Sequence, residues 1–437
     1  MKITVHGLGH VGSIAAAVLA DGGHKVLAVD VDRAVLNAFS KGHVPYMEAG
    51  LPELVRGGLD SGNLNVAHVD DVKQTQSDMA FICVGTPSLS NGGANLSYVR
   101  ASLRWIVEHE PSVTTVVMKS TVPPGTGRGI AARTLHGTRI DYASNPEFLR
   151  EGHAIQDWLH PDRIVIGAET PAAFRQVKAL YQGIEAPIVE TDITSAEMIK
   201  YAANAFLATK ITFINEIANL CQRVGATVDD VTHGIGLDPR IGSSYLQAGL
   251  GYGGSCFPKD VRALDFLSTA NGHSFELLRA VITVNNRQRL LPLLTLREAF
   301  GSLQGLRVAV LGLAFKPGTN DTRDAPALDL ISLLQEEGAE VTTYDPVVKT
   351  EGLLPHGVKI CPNAIATLKG TQAVVLCTEW DEFVHLDWEK ASTQMEAPRL
   401  VFDGRNVLDP AYLTNLGFDY RGVGRGHRDT EPSLLPS

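Results

Sequence analysis

The residues best able to do chemistry lie in one stretch, Gly251-Tyr252-Gly253-Gly254-Ser255-Cys256-Phe257-Pro258-Lys259-Asp260. It sets a single thiol in a glycine-rich loop, with a lysine and an aspartate just beyond. A lone cysteine is more often core filler than nucleophile. Here the glycines allow close approach of a substrate, and the neighbouring cation favours the thiolate, which is the nucleophilic form. The other cysteines, Cys83, Cys221, Cys361 and Cys377, are widely spaced and form no CxxC pair. They read as buried free thiols and suggest neither a disulfide framework nor a metal site.

A second chemical signal is Gly7-Leu8-Gly9-His10-Val11-Gly12, which follows a strand-like run and opens a helix-like one. Asp30 ends the next strand-like run at the spacing expected of a ribose-binding acid. Glycines in such a turn let the backbone approach a pyrophosphate, whose charge a helix N-terminus favours. A dinucleotide is therefore expected against Gly7, Gly9, Val11 and Gly12. A carboxylate at position 30 bonds the two adenosine-ribose hydroxyls and repels a 2′-phosphate, so NAD is expected rather than NADP.

The elements that must position these groups follow from patterning. Strands are expected at 3–6, 26–29, 79–84, 115–118 and 163–166, alternating with helices as in a parallel sheet covered on both faces. The first helix, about 11–21, ends at Gly22-Gly23, where glycine can close a helix in the left-handed conformation. Thr194-Ser195-Ala196-Glu197 has the form of a capping box ahead of a long amphipathic helix to about Val224. Helix continues to about 298. An α/β pattern reopens at Arg307-Val308-Ala309-Val310-Leu311-Gly312, with a helix near 325–337 and a strand at 340–344 ending in Asp345. This echoes the N-terminus, so the fold class expected is α/β, with two Rossmann-like doubly wound domains joined by a central helical segment. The loop Gly312-Leu313-Ala314-Phe315-Lys316-Pro317 lacks a full dinucleotide fingerprint, and a different ligand is expected there. The expected divisions are 1–193, an NAD-binding domain; 194–298, a central helical domain; 299–425, a domain for that different ligand; and 426–437, a polar tail.

A chain of 437 residues exceeds one ordinary core. Its 44% hydrophobic and 20% charged residues describe a globular protein. No apolar run reaches the ~20 residues of a membrane span, and the N-terminus lacks the pattern of a secretory signal, so a cytoplasmic location is expected. A net charge of −10 argues against general affinity for nucleic acid.

Taken in order, further motifs make the whole chain resemble the UDP-glucose/GDP-mannose dehydrogenase family. They are Val84-Gly85-Thr86-Pro87, Ser120-Thr121-Val122-Pro123-Pro124-Gly125-Thr126, Asn145-Pro146-Glu147-Phe148-Leu149-Arg150-Glu151, Ala196-Glu197-Met198-Ile199-Lys200-Tyr201-Ala202-Ala203-Asn204, the Cys256 loop, Phe315-Lys316-Pro317-Gly318-Thr319 with Arg323, and Asp403-Gly404-Arg405-Asn406. Asp238-Pro239-Arg240-Ile241-Gly242 followed by Tyr245-Leu246 looks like the members that act on UDP-glucose. One departure stands five positions after Asp30, where Val35 replaces a basic residue of many relatives and Arg33 lies nearby.

The resemblance implies roles. Cys256 is the covalent nucleophile; Lys200 and Asn204, four apart and so on one helix face, serve the reacting sugar, with Asp260 in the base and oxyanion network. Glu147 and Thr121 assist hydrolysis through a water. Thr86, Thr121, Glu151, Lys259 and Arg323 are placed beside NAD. Glu147, Phe148, Leu149, Arg150, Lys200, Asn204, Tyr245, Leu246, Gln247, Ala248, Gly249, Gly253, Lys316 and Arg405 are placed on the UDP-sugar, as is Arg240, which is implied to reach it across a homodimer boundary. The implied reaction oxidises a sugar-nucleotide primary alcohol through the aldehyde to the acid with two NAD. Oxidation of GDP-mannose or a UDP-N-acetylsugar is the alternative enzymatic reading. A nucleotide-binding regulator without catalysis is the alternative from another class.

Overall fold

The computed structural model describes residues 1–425. The expected polar tail, 426–437, lies outside the described residues. Among the described residues two compact units emerge: Met1–Ala203 with Arg262–His273, and Asn204–Val261 with residues 274–425.

The first unit is built on an eight-stranded sheet of β1 (Lys2–His6), β2 (Lys25–Asp30), β3 (Leu64–His68), β4 (Met79–Ile82), β5 (Thr115–Met118), β6 (Asp141–Ser144), β7 (Ile164–Ala168) and β8 (Ile188–Thr191), in the order β3-β2-β1-β4-β5-β6-β7-β8. All neighbours run parallel except β6 and β7. β4, β5 and β7 are buried along their whole length, as expected of strands covered by helices on both faces. The helix His10–Asp21 is alanine-rich and buried from Gly12 to Ala20, so it lies close against the sheet. It closes at Gly23, whose φ of +82° is the left-handed conformation anticipated for this turn. The strand order reverses between β1 and β4, and in such sheets ligands bind beyond the carboxyl ends of the strands at this point.

The second unit carries a six-stranded, wholly parallel sheet of β9 (Arg307–Leu311), β10 (Glu340–Tyr344), β11 (Lys359–Ile360), β12 (Ala373–Leu376), β13 (Leu400–Asp403) and β14 (Asp419–Gly422), ordered β11-β10-β9-β12-β13-β14. Its first half repeats the N-terminal device closely. Gly7 (φ +90°) and Gly312 (φ +91°) turn the chain after β1 and β9. The Asp30 carboxylate then accepts the Leu8 N–H at 2.6 Å, and the Asp345 carboxylate the Leu313 N–H at 2.7 Å. The expected pair of doubly wound sheets is present. Between β8 and β9 the described residues form only helices and loops, including Ile193–Val224, Val228–Gly236, Phe257–Ala270, Glu276–Gln288 and Leu291–Phe300.

The capping-box reading at Thr194 is corrected. The long helix starts one residue earlier, at Ile193, and Asp192 caps it by accepting the Thr194 and Ser195 N–H groups at 3.0 and 3.1 Å. An ionised carboxylate outcompetes a hydroxyl for these donors. Glu197 is released from the cap and turns inward, as described below.

Candidate active site

Two of the three fingerprint glycines are required by packing and the third by access. A Cβ on Gly7 would meet Val84 at 3.0 Å, and one on Gly12 would stand 1.8 Å from the Gly7 carbonyl oxygen. A Cβ on Gly9 would meet nothing within 4 Å. The space over Gly9, at the N-terminus of His10–Asp21, is thus open to a pyrophosphate approaching the backbone. A cavity of about 280 Å³ adjoins it, lined by Gly7, Gly9, Asp30, Val31, Val84 and Tyr98 among others. Asp30 stands at the end of β2 with its oxygens accepting Leu8 N–H and Asp32 N–H. Each oxygen keeps lone-pair capacity for a ribose hydroxyl. The residues fit NAD. Arg33, near the Val35 departure, is drawn into a double hydrogen bond with Asp71 at the surface.

The same unit holds a buried ionic cluster. The Lys200 ammonium lies 3.0 Å from Glu147, and both side chains are nearly inaccessible, at 5% and 6%. Burial pushes the Glu147 carboxyl up, but Lys200, the Leu149 N–H at 2.5 Å and Lys119 outweigh it and hold the group below the usual carboxylate range. Phe148 presents its ring to the Lys200 ammonium at 5.3 Å and to the Arg163 guanidinium at 3.6 Å. Arg150 is exposed and grips both Asp157 oxygens through its Nε and Nη2; Leu149 and Glu151 are half-buried. Thr86 is buried and donates its hydroxyl to the Thr121 carbonyl at 2.9 Å, tying two expected cofactor-side residues together.

In the second unit the thiol loop is held by side chains that spacing alone does not reveal. Asn215 accepts the Gly249 N–H, Gln288 donates to the Gly249 carbonyl, and Asn285 accepts the Tyr252 N–H, each at 2.8 Å. Arg289 donates to the carbonyls of Tyr252 and Asp324. The glycines are what allows this. A Cβ on Gly251 would sit 2.5 Å from the Asn285 side-chain oxygen, and one on Gly253 would sit 2.4 Å from the Asp324 carbonyl oxygen. Gly254 donates its N–H to the Arg323 carbonyl at 2.9 Å.

Cys256 ends the loop half-buried, its carbonyl accepting the Asp260 N–H at 2.9 Å at the start of the helix Phe257–Ala270. That position favours negative charge on sulfur. The other four thiols are buried, and burial pushes Cys83 and Cys377 up to about 12, which leaves them protonated and inert. Asp260 is 1% exposed; it accepts from the Asn204 amide at 2.6 Å and pairs with Lys259.

The remaining expected contacts vary in setting. Leu246, Ala248 and Gly249 are buried, while Gln247 is exposed. Tyr245 holds a left-handed backbone (φ +63°), a strained conformation for an aromatic residue. Arg405 donates to the carbonyls of Cys377 and Phe315 and pairs with Glu379. Lys316 lies over the Phe315 ring, Arg323 pairs with Asp321, and Arg240, with an 86% exposed side chain, pairs with Asp238.

The sequence reading missed Lys119, Asn145, Asn215, Asn285, Gln288 and Glu197 as site-building groups. Lys119 is buried, donating to Asn145 and Tyr181 at 3.0 Å and facing the Trp158 ring at 4.7 Å. A lysine directly after the apolar strand Thr115–Met118 was the signal available for it.

Comparison with known proteins agrees with this organisation. Family models match in chain order: the NAD binding domain of the UDP-glucose/GDP-mannose dehydrogenase family over residues 1–185, its central domain over 194–287 and its UDP binding domain over 309–410. UDP-glucose 6-dehydrogenase of Rhizobium meliloti (strain 1021) is 45% identical, covering 97% of this chain and 100% of that protein. UDP-glucose 6-dehydrogenase TuaD of Bacillus subtilis (strain 168) is 42% identical, covering 99% and 95%. The solved structure of a UDP-glucose dehydrogenase from Pyrobaculum islandicum superposes with a TM-score of 0.89 at 37% identity, covering 97% of each chain. A turn shaped for a dinucleotide, a thiol loop and a buried Lys–Glu pair thus sit within full-length sequence similarity, and the chain belongs to the UDP-glucose/GDP-mannose dehydrogenase family.

Proposed function

We propose that the chain is a UDP-glucose 6-dehydrogenase that oxidises UDP-glucose to UDP-glucuronate through a thioester on Cys256. The full-length similarity to UDP-glucose 6-dehydrogenases carries this reading. Gly7, Gly9, Val11, Gly12 and Asp30 hold NAD, with Thr86, Thr121, Glu151, Lys259 and Arg323 on its side. NAD, when bound, supplies the hydride acceptor for both oxidations.

Phe148, Leu149, Arg150, residues 245–249, Gly253, Lys316 and Arg405 hold the UDP-sugar. Lys200, Asn204 and Asp260 manage the proton of the C6 hydroxyl and the negative charge that develops on oxygen. The Cys256 thiolate adds to the aldehyde, and loss of a second hydride leaves a thioester with none left to give. Thr121 and Glu147 direct water to that thioester. The low proton affinity of Glu147, held down by Lys200, suits a carboxylate that orients water through its lone pairs.

The division at 193 and 298 remains part of this reading, as do a cytoplasmic location and a homodimer. No helix among the described residues is long and apolar enough to cross a membrane. Phe206, Phe213 and Leu220 stand seven apart on one stripe of Ile193–Val224 and are 65%, 52% and 55% exposed. Such a stripe supports self-association through this helix, and exposed Arg240 is then available to a neighbouring subunit.

The test is NADH formation with UDP-glucose, GDP-mannose and UDP-N-acetylsugars. Two NADH per UDP-glucose is expected, with UDP-glucuronate as product. The Cys256→Ala variant should retain reduction of the supplied aldehyde by NADH and lose acid formation by orders of magnitude. Ordinary two-NADH turnover by that variant would refute the thioester.

A further inference from the structure

Glu197 is 2% exposed, yet neither oxygen faces solvent or caps the helix that carries it. One oxygen accepts the Gly125 N–H at 2.7 Å and the other the Gly127 N–H at 2.8 Å. These donors belong to a stiff hook of chain that begins at Thr121. Pro123 and Pro124 fix its backbone, Gly125 turns it at φ +95°, and the Thr126 hydroxyl closes it on the Pro123 carbonyl at 2.6 Å. The Thr121 end is tied by Thr86. At the other end there is no slack: a Cβ on Gly127 would lie 2.4 Å from Ile193 and 2.6 Å from Tyr142. Glu197 precedes Lys200 by one helical turn, and Lys200 pairs with Glu147. A single buried carboxylate therefore joins the segment bearing Thr121 to the helix bearing Lys200.

We propose that Glu197 is a positioning residue for thioester hydrolysis, holding the Thr121 hook against the Lys200–Glu147 pair through the Gly125 and Gly127 N–H groups. The proposal rests on the function assigned above. In the step concerned, water oxygen bonds to the thioester carbonyl carbon, the C–S bond breaks, and the sugar leaves as the acid. Of water's two protons, one goes to sulfur and the other to solvent as the acid ionises. Thr121 and Glu147 must both address that water, so displacing the hook slows this step and leaves the hydride transfers intact.

The ionisation of Glu197 gives a second handle. Burial raises its carboxyl to about 7, against the pull of the Gly127 and Gly125 N–H groups. Only the carboxylate accepts at both oxygens without carrying a proton between donors. Tyr142, on β6, is buried and, with Glu197 beside it, pushed well above the usual phenol range, so it stays neutral. Arg128, on the hook, lies 3.6 Å from both Glu169 and Asp192. Lys200 pairs with Glu147 on the same helix side.

The experiment compares the wild type with Glu197→Gln, which keeps the shape but loses one acceptor, and with Glu197→Asp, which keeps the charge but shortens the reach. Rapid-mixing kinetics follow NADH formation and acid release separately across pH 5.5–8.5, a window of about 1.5 units on either side of the Glu197 value. The expected result is acid release slowed at least about tenfold in both variants, with first-turnover NADH formation at saturating NAD and the KM for UDP-glucose nearly unchanged. An inflection near 7 in wild-type acid release should vanish in Glu197→Gln. Wild-type rates in both variants overturn the proposal. Equal loss of every step, or loss of the fold in both, assigns Glu197 a purely structural role and overturns it too. Failure of the wild type to oxidise any sugar nucleotide would instead remove the functional reading beneath it.

Discussion

Alanine at Gly9 and at Gly12 should separate the two uses of glycine in the nucleotide turn. At Gly12 the new Cβ would lie 1.8 Å from the Gly7 carbonyl oxygen, when real contacts stop near 3.0 Å. The turn must give by roughly 1 Å. Overpacking of this kind costs about 1–3 kcal/mol, offset by about 1 kcal/mol from the better helix propensity of alanine. The net loss of up to about 2 kcal/mol lowers the melting temperature by at most about 8 °C for a unit of this size. At Gly9 nothing lies within 4 Å, and the weaker cap costs only about 0.5 kcal/mol. Yet this Cβ fills the open space over the helix N-terminus, where the proposed NAD site places the pyrophosphate.

Both variants should therefore bind NAD at least about 100-fold more weakly, since a 1 Å error in a close approach has that scale. Melting curves measured with and without NAD supply the assay. At NAD 100 times the wild-type Kd, the wild type gains about 2.7 kcal/mol and a 100-fold weaker variant only about 0.4. The reasoning is refuted if Gly9→Ala keeps the full NAD-induced shift, or if Gly9→Ala destabilises the NAD-free protein as much as Gly12→Ala.

Other expectations follow from single features. Asp30 opposes a 2′-phosphate by about 1–4 kcal/mol per charge pair, so kcat/KM for NADP should fall at least about fivefold below that for NAD; equal values would remove Asp30 from cofactor choice. In a double-mutant cycle of Glu147→Ala and Lys200→Ala, unfolding free energies should show a coupling of about 0.5–3 kcal/mol, because the two buried groups sit 3.0 Å apart; additivity would mean the pair is not one unit. Arg240→Ala should raise the KM for UDP-glucose without lowering the melting temperature, since the side chain is exposed and paired only locally with Asp238. Mixing it with Cys256→Ala should restore some activity in mixed dimers, and no recovery after verified subunit exchange would count against a shared site.

The legible parts of the molecule were those whose signal is local. A glycine turn between a strand and a helix, an acid at the next strand end and a repeat of the pattern 300 residues later disclosed both sheets. Strands such as Asp141–Ser144 and Ile188–Thr191 escaped notice because they are four residues long and half polar, with Asp141 and Ser144 in one and Glu190 and Thr191 in the other. They exist because neighbours complete them, as Thr115–Met118 does for Asp141–Ser144. The pins of the thiol loop were illegible for a similar reason: Asn215, Asn285 and Gln288 act on backbone groups more than 30 residues away in the chain. Glu197 misled the local reading outright. Its spacing from Thr194 matched a cap, while its partners lay about 70 residues earlier.

Asp30 and Asp345 occupy the same place in two copies of one motif, yet they have had opposite careers. Asp30 answers two main-chain donors and keeps lone pairs to offer. Asp345 answers five: Leu313, Ala314, Val347 and Val348 through the backbone, and Trp380 through its indole. Five donors exhaust the roughly four lone-pair sites of a carboxylate. An acid with lone pairs left to offer in one sheet has become internal masonry in the other. Grafting a full glycine fingerprint after β9 would therefore not create a second ribose site, because the acid needed to read the sugar is already committed to holding its own loop.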